Sequence, residues 1–284
     1  MREPTELAEF LLRGRNPDGG WGYHPGNSSR LESTSWALLA LGGTSMDMTV
    51  LRDWPATEGL LLERIGGEPN YAFHGLALLA MRALHVQHSA GSEAVIEAIQ
   101  AVKGKKLSPT TINRQDNSLQ GWSWMADTFS WVEPTAWCLL ALKQWRRVGS
   151  EIDSARIDIA ERLLIDRCCR EGGWNYGNSN MLGQQLKPFV PTTAIALLSL
   201  QDRKTLPEVQ KSVDYLERSA TEERSGSALA LAGMALQAYE RPTDRVTTAL
   251  IAQVPITIDF TNCVAAAIAL CFMDNERTRA AFVF

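Results

Sequence analysis

The sequence predicts a single all-α domain over residues 1–284, a closed (α/α)6 barrel of six outer and six inner helices. Three observations carry that prediction. Six Ala- and Leu-rich segments alternate along the chain with six amphipathic ones, and a helix that is apolar on every side must be buried on every side. A unit built from a Gly-Trp turn, a polar loop and a Thr-marked entry into an apolar helix recurs within residues 17–41, 120–142 and 171–200. Trp36, Leu76, Trp137, Ile195, Ala232 and Ala267 occupy comparable places in their helices, at intervals of 35 to 61 residues. Intervals of that size belong to stacked helix pairs.

The elements follow in order. Residues 5–12 and 50–64 read as outer helices, flanking the first inner helix, which begins at Glu32 and ends near Leu41. The second inner helix spans 71–86 and the third outer helix 92–103. Residues 133–142 form the third inner helix, introduced by Pro134, which suits a helix start because its missing N–H has no intrahelical partner there. The outer helix at 153–169 sets Ile159 and Leu163 among Asp158, Glu161 and Arg162, a pattern with one wet face. Pro191 opens the fourth inner helix and Pro207 the next outer one. The last three helices are inner 227–239, outer 243–253 and inner 260–273. Strand content is expected to be almost nil, and the Val-Ile run at 254–258 is interrupted by Pro255. A linear solenoid is the rival arrangement. It usually ends in polar capping repeats, whereas the segment at 260–273 is among the most apolar.

Composition narrows the partners. With 28 Lys plus Arg against 32 Asp plus Glu the formal charge is −4, which argues against a nucleic-acid-binding surface. No apolar run is long enough to span a bilayer, although peripheral membrane contact stays open. Met1-Arg2-Glu3-Pro4 carries charge and Pro where an export signal needs an apolar run. The five cysteines are an odd number without paired CxxC units, which fits free thiols and a cytoplasmic location.

The unit Gly19-Gly20-Trp21, with Glu133-Pro134-Thr135-Ala136-Trp137 in a later copy, resembles the repeats of the terpenoid cyclase and protein prenyltransferase superfamily, including squalene-hopene cyclases. Residues 15–21 and 116–122 are similar to the Gln…Gly-Trp signature of those repeats, without its leading Gln. The resemblance implies the α/α toroid fold and a hydrophobic isoprenoid ligand. Squalene-hopene-type cyclases protonate substrate with the middle Asp of an Asp-x-Asp-Asp-Thr-Ala run. Its best match here is residues 131–136, which puts Glu133 on the proton-donor position and Trp131 and Pro134 on the flanking Asp positions. Prenyltransferase β subunits hold zinc with an Asp-x-Cys pair and a distant His. That set is read as absent, since Asp259 and Cys263 are too far apart.

Glu133 is therefore the candidate acid. Burial would raise its pKa and the helix N-terminus would lower it; alternatively, Glu133 and the parallel Glu32 simply cap their helices. Asp127, on the long loop at 104–130, and His74, near the start of an apolar helix, complete the catalytic candidates. Trp36, Tyr71, Phe73, Trp124, Trp131, Trp137 and Phe260 are candidates for lining a cavity, where aromatic faces attract a cation. Trp21, Trp122 and Trp174 read as seam fillers, and His85 and His88 as a solvated helix end. No cofactor is expected. Were Glu32, Glu133 and Asp259 to meet at one rim, the three carboxylates would suit Mg²⁺ and a diphosphate. Three functions stay open: a cyclase-like enzyme, a non-catalytic toroid that partners another subunit or itself, and a glycosidase pairing Glu133 with Asp127 or Asp116.

Overall fold

The computed structural model describes residues 3–42, 49–84, 90–108, 115–274, 276 and 281–284. Its inner helices are α2 (Leu31–Leu41), α4 (Tyr71–Ala83), α6 (Val132–Arg147), α8 (Val190–Ser199), α10 (Gly226–Ala238) and α12 (Cys263–Met273). Around them lie α1 (Glu3–Arg13), α3 (Thr49–Arg52), α5 (Ala90–Ala101), α7 (Ser154–Asp166), α9 (Pro207–Ser219) and α11 (Asp244–Asp259). Each inner helix packs on the next, and α12 packs back on α2, so the ring closes. The barrel expected from the alternating pattern is the one observed, and an open solenoid is excluded.

Closure is also written in backbone hydrogen bonds. The first N–H of α2 donates to Glu63 O, that of α4 to Trp124 O, that of α6 to Tyr176 O and that of α12 to Tyr23 O. Each acceptor lies in the loop that precedes the next inner helix round the ring. The bond from Cys263 to Tyr23 joins the last helix to the first across the whole chain. These bonds satisfy N–H groups that a helix start otherwise leaves open.

Two outer elements depart from the sequence pattern. In place of a helix over 50–64 stand the one-turn α3 and a two-stranded hairpin, β1 (Ala56–Thr57) and β2 (Leu60–Leu61). Pro55 stops the helix, and Glu58 and Gly59 both take positive φ, 49° and 79°, as a tight hairpin turn requires. A second hairpin, β3 (Asn180–Met181) and β4 (Gln184–Gln185), precedes α8. Helix α11 runs straight through Pro255 to Asp259. Pro255 and Ile251, whose carbonyl loses its partner, both lie on the wet face, where water replaces the missing bond.

The core is the ring itself. Six helices at ~9 Å spacing put the common axis ~9 Å from each helix axis. With a helix radius of 5–6 Å including side chains, an axial space of only ~3–4 Å radius remains. Large side chains or a ligand must fill it.

Candidate functional site

The recurring unit proves to be a clamp. In its three copies the backbone N–H of Trp21, Trp122 and Trp174 donates to the hydroxyl of Thr34, Thr135 and Thr193 at 2.9, 3.0 and 2.9 Å. The same hydroxyls donate back to the Trp carbonyls at 3.3 Å. Each indole N–H reaches the end of the preceding outer helix, at Leu11, Ile99 and Leu164, and all three rings are wholly buried. Gly121 is needed because a Cβ there would stand 2.3 Å from Thr135 Oγ1. At Trp122 the Arg156 guanidinium lies 3.4 Å above the ring and donates to the Gln120, Gly121 and Val102 carbonyls. These tryptophans fill seams, as their repetition implies.

The clamp leaves the second residue of each helix free, and in two of the three copies that residue is a glutamate. Glu32 and Glu133 cap nothing: the N-cap positions Arg30 and Trp131 make no side-chain cap bond. Glu32 instead accepts the Tyr23 hydroxyl at 2.7 Å, and Glu133 accepts the Trp137 indole N–H. Both remain half-buried on a ring whose other residues are almost all buried, and both lie in the first turn of an inner helix, at the end of the ring where those helices begin. Burial, first, and the neighbouring Glu32 carboxylate, second, push the Glu133 carboxyl up to about 7. Burial also raises Glu32, against the lowering effect of the Tyr23 hydroxyl. On Glu133, burial outweighs the lowering effect of the Trp137 indole. The carboxyl is therefore about half protonated at neutral pH.

One turn below the carboxylates lie Trp36 and Trp137. Their rings meet edge to face at 5.6 Å, although α2 and α6 are separated in the ring by α4. The contact is thus made inside the barrel. Phe282, wholly buried, stands against both at 5.7 and 6.2 Å. Sequence reasoning missed Phe282, whose short segment carries no pattern, and missed Tyr23 as a carboxylate partner. The spacing Glu-x-x-x-Trp, present at 32–36 and 133–137 but replaced by Pro191 and Ile195 in the third copy, was the signal available for the paired site.

The remaining candidates are dispersed. Tyr71 and Phe73 sit in the first turn of α4, almost buried, with Phe73 edge-on to Trp124 at 6.3 Å. Asp127 is exposed in a tight turn at positive φ, and its charge is felt by Tyr71. The charged neighbour of Glu133 is Glu32, so neither Asp127 nor Asp116 forms the carboxylate pair that a glycosidase needs. His74 is wholly buried; Nδ1–H donates to Asn70 O at 2.8 Å, Nε2 has no partner, and burial lowers the pKa to about 4. It is a neutral imidazole in the packed start of α4. Trp131 stacks with Phe129 at 5.0 Å and lines a cleft of about 270 Å³ with Lys105, Arg167 and Gly177, outside the axial space. Phe260 is 73% exposed in the α11–α12 turn, so it lines no cavity. Asp259 ends α11 on the exposed side, and the cap of α12 is Asn262. The three-carboxylate rim suited to Mg²⁺ is not assembled, because Asp259 belongs to the outer layer. An Asp-x-Cys pair does occur, at Asp166 and Cys168, but Asp166 holds Arg167 and the Asp116 N–H while Cys168 faces Ser212. Among the described residues no group of three His, Cys, Asp or Glu is placed to hold a metal, and no helix is long and apolar enough to cross a membrane. His85 and His88 lie outside the described residues.

No protein-family model matches the sequence, and no curated protein matches it. Solved structures do. The chain is similar to a variant of the type II terpene cyclase MstE from Scytonema in complex with the product merosterolic acid A, with TM-score 0.59 and 13% identity over 99% of this chain and 97% of that one. A second MstE variant, bound to the substrate geranylgeranyl dihydroxybenzoate, matches with TM-score 0.58 and 12% identity over 99% and 96%. A protein from Actinoplanes matches with TM-score 0.60 and 14% identity over 98% of both chains. At such identities the likeness is one of architecture: the chain has the fold of the type II terpene cyclases, an all-α toroid.

Proposed function

We propose that the protein is a terpene cyclase-like enzyme that receives an isoprenoid at the mouth of the ring and protonates it with Glu133. The observation that carries this reading is a carboxyl held at about 7 by burial, at the mouth of an aromatic interior. In the proposed step the Glu133 O–H bond breaks, the alkene π pair forms the new C–H bond, and a tertiary cation results. The π faces of Trp36 and Trp137 lie one turn below, where such faces attract a cation by roughly 0.5–2 kcal/mol each. The second carboxylate, Glu32, adds negative charge beside the developing cation. An internal double bond attacks and moves the cation to a new carbon, loss of a proton to water then quenches it, and Glu133 regains a proton from water. Neighbours of the same fold are named for isoprenoid substrate and product, which supports this ligand class.

The test is turnover of geranylgeranyl and farnesyl compounds by the full chain, followed by mass spectrometry, with Glu133→Gln as the comparison. A product formed by the native chain and lost in Glu133→Gln is expected. Equal turnover by both would remove Glu133 from the chemistry.

A second reading, a toroid that docks a protein partner or a second copy, is favoured by one region. Tyr176, Leu182, Leu186 and Phe189, around the β3–β4 hairpin, are 56%, 73%, 38% and 44% exposed. Light scattering after size exclusion tests it, and a monomer with no captured partner counts against it.

A further inference from the structure

We propose that a cleft on the outside of the ring, between the loop at 103–120 and helix α7, is a binding site for a phosphate or diphosphate group. The cleft has a volume of about 230 Å³, and its polar lining is Lys103, Lys106, Ser118, Gln120, Arg156 and Arg162. Four of those side chains are cations and none is a carboxylate, in a chain whose formal charge is −4. Helix α9, the next outer helix, mixes its signs instead, with Lys211 among Glu208, Asp214 and Glu217. The cleft is separate from the site proposed above, since neither Glu32 nor Glu133 lines it.

Local chemistry explains why the cations converge. Lys103-Gly104-Lys105-Lys106 sets three charges within four residues. The loop that follows returns on itself: Gly104 N–H donates to Gly121 O at 3.0 Å, Leu107 N–H to Asn117 O at 3.3 Å, and Gln120 Nε2 to Gly104 O at 2.8 Å. Arg156 ties both ends of that loop to α7 through the Val102, Gln120 and Gly121 carbonyls. Lys105 turns to the other cleft, beside Trp131, while Lys103 and Lys106 share this one with Arg156 and Arg162.

The charge gathered there is not neutralised from within the chain. None of the four cations makes an ion pair among the described residues. Asp116 and Asp153 act on Arg162 and Arg156 from outside the lining, neither as an ion pair. Arg156 is the sharpest case. It is 3% exposed, its two Nη atoms donate only to backbone carbonyls, and its Nε–H is buried with no partner. Burial pushes its pKa down to about 10. A buried cation without a counter-charge is costly, and an anion bound beside it offsets that cost. Lysine and arginine donors at this density suit a compact group with two or more negative charges. A phosphate or diphosphate offers that, and a lone carboxylate does not.

Calorimetric titration of the full chain with inorganic diphosphate, at about 0.15 M ionic strength, tests the site. Sedimentation with phosphatidylcholine vesicles that contain phosphatidic acid tests whether the phosphate is a lipid's. Binding of at least one probe is expected. Lys106→Ala and Arg162→Ala, both at exposed side chains, are each expected to weaken it by about tenfold, the loss of one charge-assisted hydrogen bond. Lys211→Ala, the same loss of charge on α9, is expected to change it by less than about twofold. Arg156 is left intact because it also holds Trp122. Diphosphate binding that the two variants weaken, without vesicle binding, places the phosphate on a soluble compound; vesicle binding weakened in the same way places it on a lipid. Binding of neither probe by the folded native chain overturns the site. So does binding that the two variants leave unchanged, or that Lys211→Ala weakens as much as Arg162→Ala does. Each of these outcomes leaves the reading of Glu133 standing.

Discussion

The inner helices begin in two different ways, and the contrast explains where the candidate site sits. Helices α4, α10 and α12 carry their own caps: Asn70, Ser225 and Asn262 each accept a backbone N–H from the first turn. Helices α2, α6 and α8 have no such cap, and their first turns are held from outside by the Gly-Trp loop and its Thr. Local capping uses the side chain at the helix mouth. The clamp moves that work to a buried Thr one turn in and leaves the second helical position free. Two clamped helices place a carboxylate there, Glu32 and Glu133, and the third places Pro191, which makes α8 an internal blank for the same geometry.

The largest effect is expected where the clamp is removed outright. Trp122→Ala empties a wholly buried indole site and strips Arg156 of its stacking partner; urea unfolding is expected to show a loss of ~3–5 kcal/mol. A loss no larger than that of a cap variant would mean that the loop does not hold the helix, and the contrast would collapse.

Next comes the charge that the free position carries. A Glu133 carboxyl at about 7 in the folded chain against 4.5 for an unperturbed one means that the folded state binds more protons between those values. The Glu133 contribution to stability therefore declines as pH rises from ~4.5 to ~7 and levels off above, by at most ~3–4 kcal/mol, and in the native chain His74 offsets much of it. Unfolding of Glu133→Gln across this range is expected to lack the decline. What remains is the opposite slope of His74, whose folded pKa of about 4 lies below its usual 6.5, so that stability falls on acidification through that window. A Glu133→Gln chain with the native pH profile would place the raised pKa elsewhere.

Smaller effects separate the two kinds of helix start. Thr135→Val leaves the buried Trp122 N–H unpaired, and a cost of ~2 kcal/mol is expected from that unsatisfied donor. Asn70→Ala removes only a cap from the neighbouring helix, for ~1 kcal/mol. Denaturant titrations of the two variants side by side sharpen the comparison, and a larger cost at Asn70 than at Thr135 would reverse it.

Much of the molecule is legible in its order of residues, for reasons that differ element by element. The inner helices are readable because they are apolar on every side, and residues 227–239 or 263–273 have no other stable place than the middle of a bundle. The seam tryptophans are readable because a packing role recurs with the repeat. Helix 50–64 was not, since the Leu-rich stretch at 59–62 mimics an amphipathic face while Pro55 and the Glu58-Gly59 turn dictate a hairpin. Asp259 and Phe260 misled in the other direction: they precede an inner helix, as Glu32 and Glu133 do, yet α11 extends over Asp259 and hands the cap to Asn262.

The chain's own order of residues determined the all-α class, the count of helix pairs and the clamp, because each depends on side-chain polarity and turn chemistry within some forty positions of itself. Tertiary structure alone decided that Glu32 and Glu133 share one mouth, that Trp36, Trp137 and Phe282 close the space beneath them, and that the Glu133 proton persists to about pH 7. Those outcomes depend on distances between segments a hundred or more residues apart and on the water excluded when the ring closes, and neither quantity is carried by local pattern.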